Sequence, residues 1–534
     1  MSSDQSREQA QEMDVERDGY VDWKGKNVTP SKHRGKVGAT IVCVVEVLEN
    51  MVFISNASNL VTYFHAFMHY SLVRSANMLT NYMGTSFLLS LFGGFVSDTF
   101  LTRFSTVVLF GLIELTGLVM LTIQAHYDRL RPAEGAEPSP SQATMLYFGL
   151  YAMAIGVGGV KASLPAHGAD QLDHSNQRLM STFFNWFFFC LCSGGMLAVT
   201  IVVWVQENVG WKWGFGMTAI ALSLGLTIFG AGLPLYRHKT PVGSPITRII
   251  KVLVNSVKNW KASPPPQVLN ANTSEGKPKS RFRFLNKALL RHGIRESEVE
   301  ETRSFLCLLP IFASTIMMNC CLAQLMTFSV QQGLAMDRTL SNGFKIPPAS
   351  LTSIPLLVML ISVPFYDRVV LVLVRKFLRK ETAVQPLYRI GIGLILASAS
   401  MAVAAVVEVK RRSAAIDESK KLISVLWLGW QYLLLGVSDM FTLAGMLEFF
   451  YSEAPHSMRS VCTALSWCST AMGYFLSSLL VTIANSASGW FGKHRWLAEE
   501  NLNESRLELF YTLLAVLNLL NFFNYVYWVK WYKS

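Results

Sequence analysis

Apolar residues in this chain gather into long unbroken runs. Stretches of about 20 such residues, the length a helix needs to cross the hydrocarbon core of a bilayer, lie at 37–62, 76–97, 104–125, 142–164, 180–207, 212–235, 303–332, 347–374, 387–409, 422–450, 457–486 and 507–530. They predict an all-α membrane protein with twelve transmembrane helices. Six runs precede a long polar stretch and six follow it. The chain therefore divides into an N-terminal tail (1–36), a first six-helix bundle (37–236), a central loop (237–301) and a second six-helix bundle with a short tail (302–534). This layout is that of a two-bundle secondary transporter, whose substrate site lies near the bilayer midplane between the halves.

Within the central loop, Ile246, Ile249, Ile250, Leu253, Val257 and Trp260 recur at helical spacing, and Arg248, Lys251 and Lys258 take the other faces. The pattern predicts a basic amphipathic helix lying in the headgroup region of one leaflet. Pro264-Pro265-Pro266 ends it. Such a segment serves as a tether between bundles or as a regulatory element.

Composition agrees with the runs. Of 534 residues, 51% are hydrophobic and only 15% charged, which excludes an ordinary soluble domain. The net charge of +12 would suggest nucleic acid in a soluble protein, but here its distribution about the membrane matters more. Lys and Arg concentrate in the tail and central loop, which predicts cytosolic N- and C-termini, in a plasma-membrane protein with no nucleic-acid partner. Lys410, Arg411, Arg412, Lys420 and Lys421 dissent, since they would face outside. The first 36 residues hold no apolar core of a cleavable signal. The 8 cysteines sit in apolar runs without zinc-site spacing and read as small core hydrophobes. No HExxH, nucleophile elbow or His-rich cluster is present, so neither an enzyme, a metal nor a cofactor is expected. Asn503-Glu504-Ser505 is a glycosylation sequon on the predicted outer side.

Charges inside the spans each ask for a reason, because one at mid-membrane costs about 2.5–3.5 kcal/mol on insertion scales. They are Glu46, Glu49, Glu114, Lys161, Asp439 and Glu448. Glu46 and Glu49 share a helix face, with Asn50 one turn beyond Glu46, and two neighbouring carboxylates resist joint ionisation, as a proton site requires. Lys161 closes the run Gly156-Val157-Gly158-Gly159-Val160-Lys161. That run lacks the strand and the GK[ST] ending of a phosphate loop, so its glycines point to close helix approach. A lone lysine there needs a counter-charge. Glu448, on the opposite bundle, is the expected partner, and the pair would form a gate that substrate or proton can break. The aromatic run Phe183-Phe184-Asn185-Trp186-Phe187-Phe188-Phe189 reads as lipid-facing or core packing.

Taken together, GGFVSDTFLTRF (93–104), GVGGVKASLPAHGADQLD (156–173), STFFNWFFF (181–189), AQLMTFSVQQG (323–333) and LEFFYSEAPHSMRS (447–460) resemble the plant nitrate and peptide transporter family. That family is a branch of the proton-coupled oligopeptide transporters, with the major facilitator fold. The resemblance implies that Lys161 and Glu448 are the family's charged pair, and that Asp98 and Arg103 help lock the cytosolic side. It also matches Thr106 to a threonine whose phosphorylation tunes affinity in a nitrate-transporting relative.

Two departures from the family pattern bear on substrate and coupling. The first helix reads Glu46-Val47-Leu48-Glu49-Asn50 where the family carries E-x-x-E-R. Without the arginine these carboxylates should protonate more easily, so they either still cycle a proton or belong to a facilitator. In helix seven, Leu322 stands where nitrate-transporting relatives place histidine, and Met326 lies one turn on. Neither replaces nitrate's hydration, whereas a larger, partly apolar anion gains by burying surface there, at ~25 cal/mol per Å². With ENMVFISNASNLVTYF (49–64), these departures resemble the family's fourth subfamily. The implied substrate is a weak-acid hormone, abscisic acid or gibberellin, a small organic anion accompanied by protons. Low-affinity nitrate transport and a transporter-like receptor are the alternatives. Oligomeric state is not encoded in these patterns.

Overall fold

The computed structural model describes residues 20–26, 28, 35–70, 72–133, 136–173, 176–241, 243–260, 282–290, 294–339, 353–366, 368, 385–416, 422–491, 496–497, 502–503 and 505–533. Among these, helices of differing length lie within the predicted runs. The first half holds α1 (Gly35–Phe67), α2 (Leu72–Thr99), α3 (Arg103–His126), α4 (Pro140–Asp170), α5 (Gln177–Asn208) and α6 (Trp211–Ala231). After α7 (Pro245–Lys258), the second half holds α8 (Glu296–Ala323), α9 (Ser353–Phe365), α10 (Pro386–Ile416), α11 (Val425–Ser452), α12 (Arg459–Phe491) and α13 (Leu507–Lys533). Ten of these are long and apolar enough to cross a membrane. The exceptions are α2, diluted by Asn81, Ser86, Ser90 and Ser97, and α9, which has only 13 described residues of the run expected at 347–374.

Helix starts follow local chemistry. Ser139 and Gln142 form a capping box ahead of Pro140, the first residue of α4, and the Thr102 hydroxyl accepts the Ser105 amide at 3.2 Å to start α3. Two residues of the tail, Tyr20–Val21 (β1), pair antiparallel with His238–Lys239 (β2), just past α6. The face carrying β1, β2 and α7 is the tail face; the opposite one is the far face.

Small residues set how closely the helices approach. A Cβ on Gly156 of α4 would lie 2.6 Å from the Glu114 backbone nitrogen of α3, and one on Gly94 of α2 would lie 2.9 Å from the Ser460 carbonyl of α12. The glycine run before Lys161 is thus a seam for helix contact, as its composition suggested. Between the bundles, α2 and α4 pack on α12, while α5 packs on α9 and α11. Phe183, Phe184, Phe187 and Phe188 of α5 are buried, so most of this aromatic run is core packing, with Trp186 exposed and Phe189 partly buried.

The amphipathic helix forms as α7, capped by Ser244. Val252 buries against Leu285, Ala288 and Val299 and Ile249 joins the main core, whereas Ile246, Ile250, Val254, Val257 and Trp260 stay exposed on a second apolar face. An apolar row beside Lys251 and Lys258 suits the headgroup region of a bilayer.

Filling the seam tests the packing. Gly156→Leu has no room to relax against backbone, and should lower stability by about 1–3 kcal/mol, read as a fall in the detergent-solubilised protein's thermal midpoint.

Candidate functional site

The glycine seam delivers Lys161 to the middle of the first bundle, 2% exposed. Its Nζ donates to Glu49 Oε2 at 2.9 Å and to Asn50 Oδ1 at 3.2 Å, and lies 4.0 Å from Glu46 Oε1. The Phe53 and Trp467 rings flank it, each centroid 4.9 Å from Nζ. Pro165 follows four residues later and has no N–H to return to the Lys161 carbonyl. Trp467 of the other bundle supplies the missing donor, its Nε1 lying 3.0 Å from that carbonyl oxygen. The charged residue is thus tied to α1 through its side chain and to α12 through its backbone.

This geometry corrects two expectations. Lys161 does not bridge to Glu448; it faces α1 of its own bundle. Asn50 does not leave the glutamates without a cation, because Lys161 takes the place expected of the arginine, while Asn50 Nδ2 donates to the Leu191 carbonyl of α5 at 2.7 Å. Glu448 instead accepts from Arg389 of α10 at 2.8 Å, and the same guanidinium donates to Ser181 at 3.3 Å and Asn185 at 2.5 Å on α5. Arg389 therefore holds Glu448 and reaches across to the first bundle. Its signal in the sequence was only its place three residues inside an apolar run, where a charge is ordinary.

At the tail face, Asp98 and Arg103 of the first bundle both bond to α12 of the second. Arg103 Nε donates to Ser460 Oγ at 2.8 Å, its guanidinium also pairs with Asp98 (3.3 Å) and Asp170, and Asp98 Oδ2 accepts the Val461 amide at 2.9 Å. The N-terminal tail joins this closure, which its sequence gave no sign of. The Tyr20 hydroxyl donates to Asp170 Oδ1 at 3.0 Å and accepts from Arg459 at 3.4 Å, so a strand from the tail bridges α4 and α12. Burial, reinforced by the Asp170 charge, holds the Tyr20 phenol above its usual range, so it remains a donor. Burial, and then the Arg103 guanidinium, push the Lys239 ammonium beside it down to about 8.

The remaining candidates fall elsewhere. Thr106 is fully buried and its hydroxyl donates to the Thr102 carbonyl at 3.0 Å, so no kinase reaches it in this conformation. Leu322 is half-buried against the core of α8, and the Met326 side chain lies outside the described residues. Near the far face, Arg411 pairs with Glu408 at 2.7 Å and donates to Asn503 Oδ1 at 2.7 Å, while Arg412 meets Glu508 at 3.0 Å. These pairs account for two of the dissenting cations. The Asn503 amide is engaged by Arg411 and Ser505 of the sequon is buried, which leaves little of the site for glycosylation.

Two helical bundles meeting around buried ion pairs, with a closure at one face, define a membrane transporter of the major facilitator fold. The chain belongs to the POT family, whose model matches residues 104–497. It is 53% identical to Protein NRT1/PTR FAMILY 4.1 of Arabidopsis thaliana, over 93% of this chain and 96% of that protein, and 51% identical to NRT1/PTR FAMILY 4.2 of the same plant, with the same coverage. The fold is also that of the POT family transporter PepTSo (TM-score 0.66, 18% identity, 93% of this chain and 98% of that one). A POT family transporter solved in complex with 5-aminolevulinic acid is similar as well (TM-score 0.61, 13% identity, 93% and 97% covered).

Two substitutions test the closures. Trp467→Phe leaves the Lys161 carbonyl without its donor, and should cost about 1–3 kcal/mol of thermal stability. Tyr20→Phe removes a hydrogen bond of about 0.5–1.5 kcal/mol. With Cys462, buried just past the closure, as the sole remaining cysteine, that change should raise its maleimide labelling rate several-fold.

Proposed function

We propose that this transporter imports a weak-acid plant hormone of the abscisic acid or gibberellin class by alternating access, with a proton taken up at Glu49. The observation that carries this reading is the state of Lys161: a cation between two aromatic rings, neutralised by Glu49 rather than left open. An anionic substrate can engage Lys161 only when Glu49 releases it, and protonation of Glu49 does that. Substrate and proton then favour each other's binding, which is linkage between two ligands of one cluster. The aromatic and apolar surroundings, with Leu322 offering no donor for a hydrated ion, suit a carboxylate on a hydrocarbon body. The tail face is taken as cytosolic, in the plasma membrane. Its closure through Asp98, Arg103 and Tyr20, and the Arg389 link to α5, then hold the inner side shut while substrate enters from outside.

The sign follows from the linkage. Lower external pH protonates Glu49, frees Lys161 and raises the saturable part of uptake. Cells expressing the protein, given labelled abscisic acid, gibberellin or nitrate, should accumulate a hormone saturably and faster at acidic pH, above cells lacking the carrier, where the free acid also crosses unaided. Lys161→Ala should abolish the saturable part, and Glu49→Gln should remove its pH dependence. Saturable nitrate uptake without hormone uptake would overturn the substrate class, and Lys161→Ala transporting normally would overturn the site.

A further inference from the structure

The carboxylate of Glu114 of α3 takes part in none of the contacts described above. It is completely buried, and neither of its carboxylate oxygens has a hydrogen-bond partner. It cannot be moved aside cheaply, because Gly156 of α4 packs directly on its backbone and Cβ. An ionised carboxylate so placed, with neither solvent nor donor, is far more costly than a protonated one.

Its surroundings connect it to Lys161. Within electrostatic reach are Glu49 from α1 and Lys161 from α4, and the Tyr82 hydroxyl from α2, itself buried without a partner. The remaining helix packed on α3, α6, has Lys212 in its first turn as its sole ionisable residue. Glu49 Oε1 and Glu46 Oε1 are likewise buried without partners. Three carboxylates therefore share one ammonium, and a single positive charge cannot hold all three ionised.

We infer that Glu114 is a second proton-binding site of the Lys161 cluster, exchanging its proton with Glu49 as Lys161 changes partner. The inference rests on the proton-coupled reading above. While Glu49 is ionised against Lys161, its negative charge keeps the proton on Glu114. When an anionic substrate takes Lys161, the O–H bond at Glu114 breaks and one forms at Glu49, so the cluster's total charge is unchanged by the transfer. Glu114, now ionised, is reprotonated from the side then open. The cluster can thus release Lys161 without waiting for a proton from bulk water at the moment of binding.

Infrared spectroscopy of the purified protein in lipid nanodiscs tests this without any substrate. The difference spectrum between the unmodified protein and Glu114→Gln should contain the high-frequency carbonyl stretch of a protonated carboxyl lacking a hydrogen bond. In Glu49→Gln, where the Glu49 charge is gone and Lys161 is shared only with Glu46, Lys161 acts more strongly on Glu114, and that band should weaken. Where Glu114→Gln does not fold, Glu114→Asp keeps the carboxyl and should shift the band instead. A band that survives Glu114→Gln, or one undiminished in Glu49→Gln, would overturn the inference. Absence of saturable hormone uptake by the unmodified protein would instead defeat the substrate reading and leave this spectroscopic result standing. In a transport assay, Glu114→Gln should lose the acceleration at acidic pH; acceleration equal to that of the unmodified protein would also overturn the inference.

Discussion

An ammonium group inside a bundle that spans a membrane needs an opposite charge within bonding distance, because the hydrocarbon offers it neither water nor counterions. Lys161 meets that need within its own bundle, at Glu49. Much of the local architecture serves this pair. The glycines before Lys161 bring α4 against α2 and α3, and Phe53 and Trp467 shield the ammonium with ring faces that tolerate a cation. A pair formed inside one bundle has a consequence that a pair across the bundles would lack. The two halves can separate without exposing an unpaired charge, so the charge pair itself does not oppose alternating access.

The cross-bundle ties near Lys161 are made by other means. Pro165 frees a backbone carbonyl, and the Trp467 indole takes it, a neutral hydrogen bond whose net worth is about 0.5–1.5 kcal/mol. That is weak enough to break in a conformational cycle, yet directional enough to set the register of α4 on α12. Toward the tail face the ties become charged and more numerous, through Arg103, Asp170, Arg459 and the Tyr20 hydroxyl. Many separate bonds broken together make a two-state latch.

What the sequence revealed follows from what each signal depends on. Helix positions were legible because twenty apolar residues leave few alternatives, and the amphipathic α7 because its periodicity is local. Lys161, Glu46, Glu49 and Glu448 stood out as charges where charge is costly. Their pairing was not legible: which face of α4 Lys161 presents, and to which helix, is decided by glycines packing against α2 and α3, a tertiary fact. Arg389 and Glu408 escaped notice because each lies within three residues of a run's end, where a charge is ordinary. The role of Tyr20 depends on a two-residue strand, far too short for any periodicity to announce it.

Two buried cation–carboxylate locks therefore stand on different helices. In the first, Lys161 is the group an anion would seek, and Glu49 holds it at 2.9 Å. In the second, the Arg389 guanidinium holds Glu448 together with Asn185 and Ser181 of the other bundle. An incoming anion that frees Glu49 changes the charge of the first lock only. The second, which also holds Asn185 and Ser181 of α5, must then yield through rearrangement of α10 and α11 against α5. On the proposed reading, substrate binding and opening of the tail face are separable steps on different helices, linked through α4 and α5, which contact each other and each contribute to one lock.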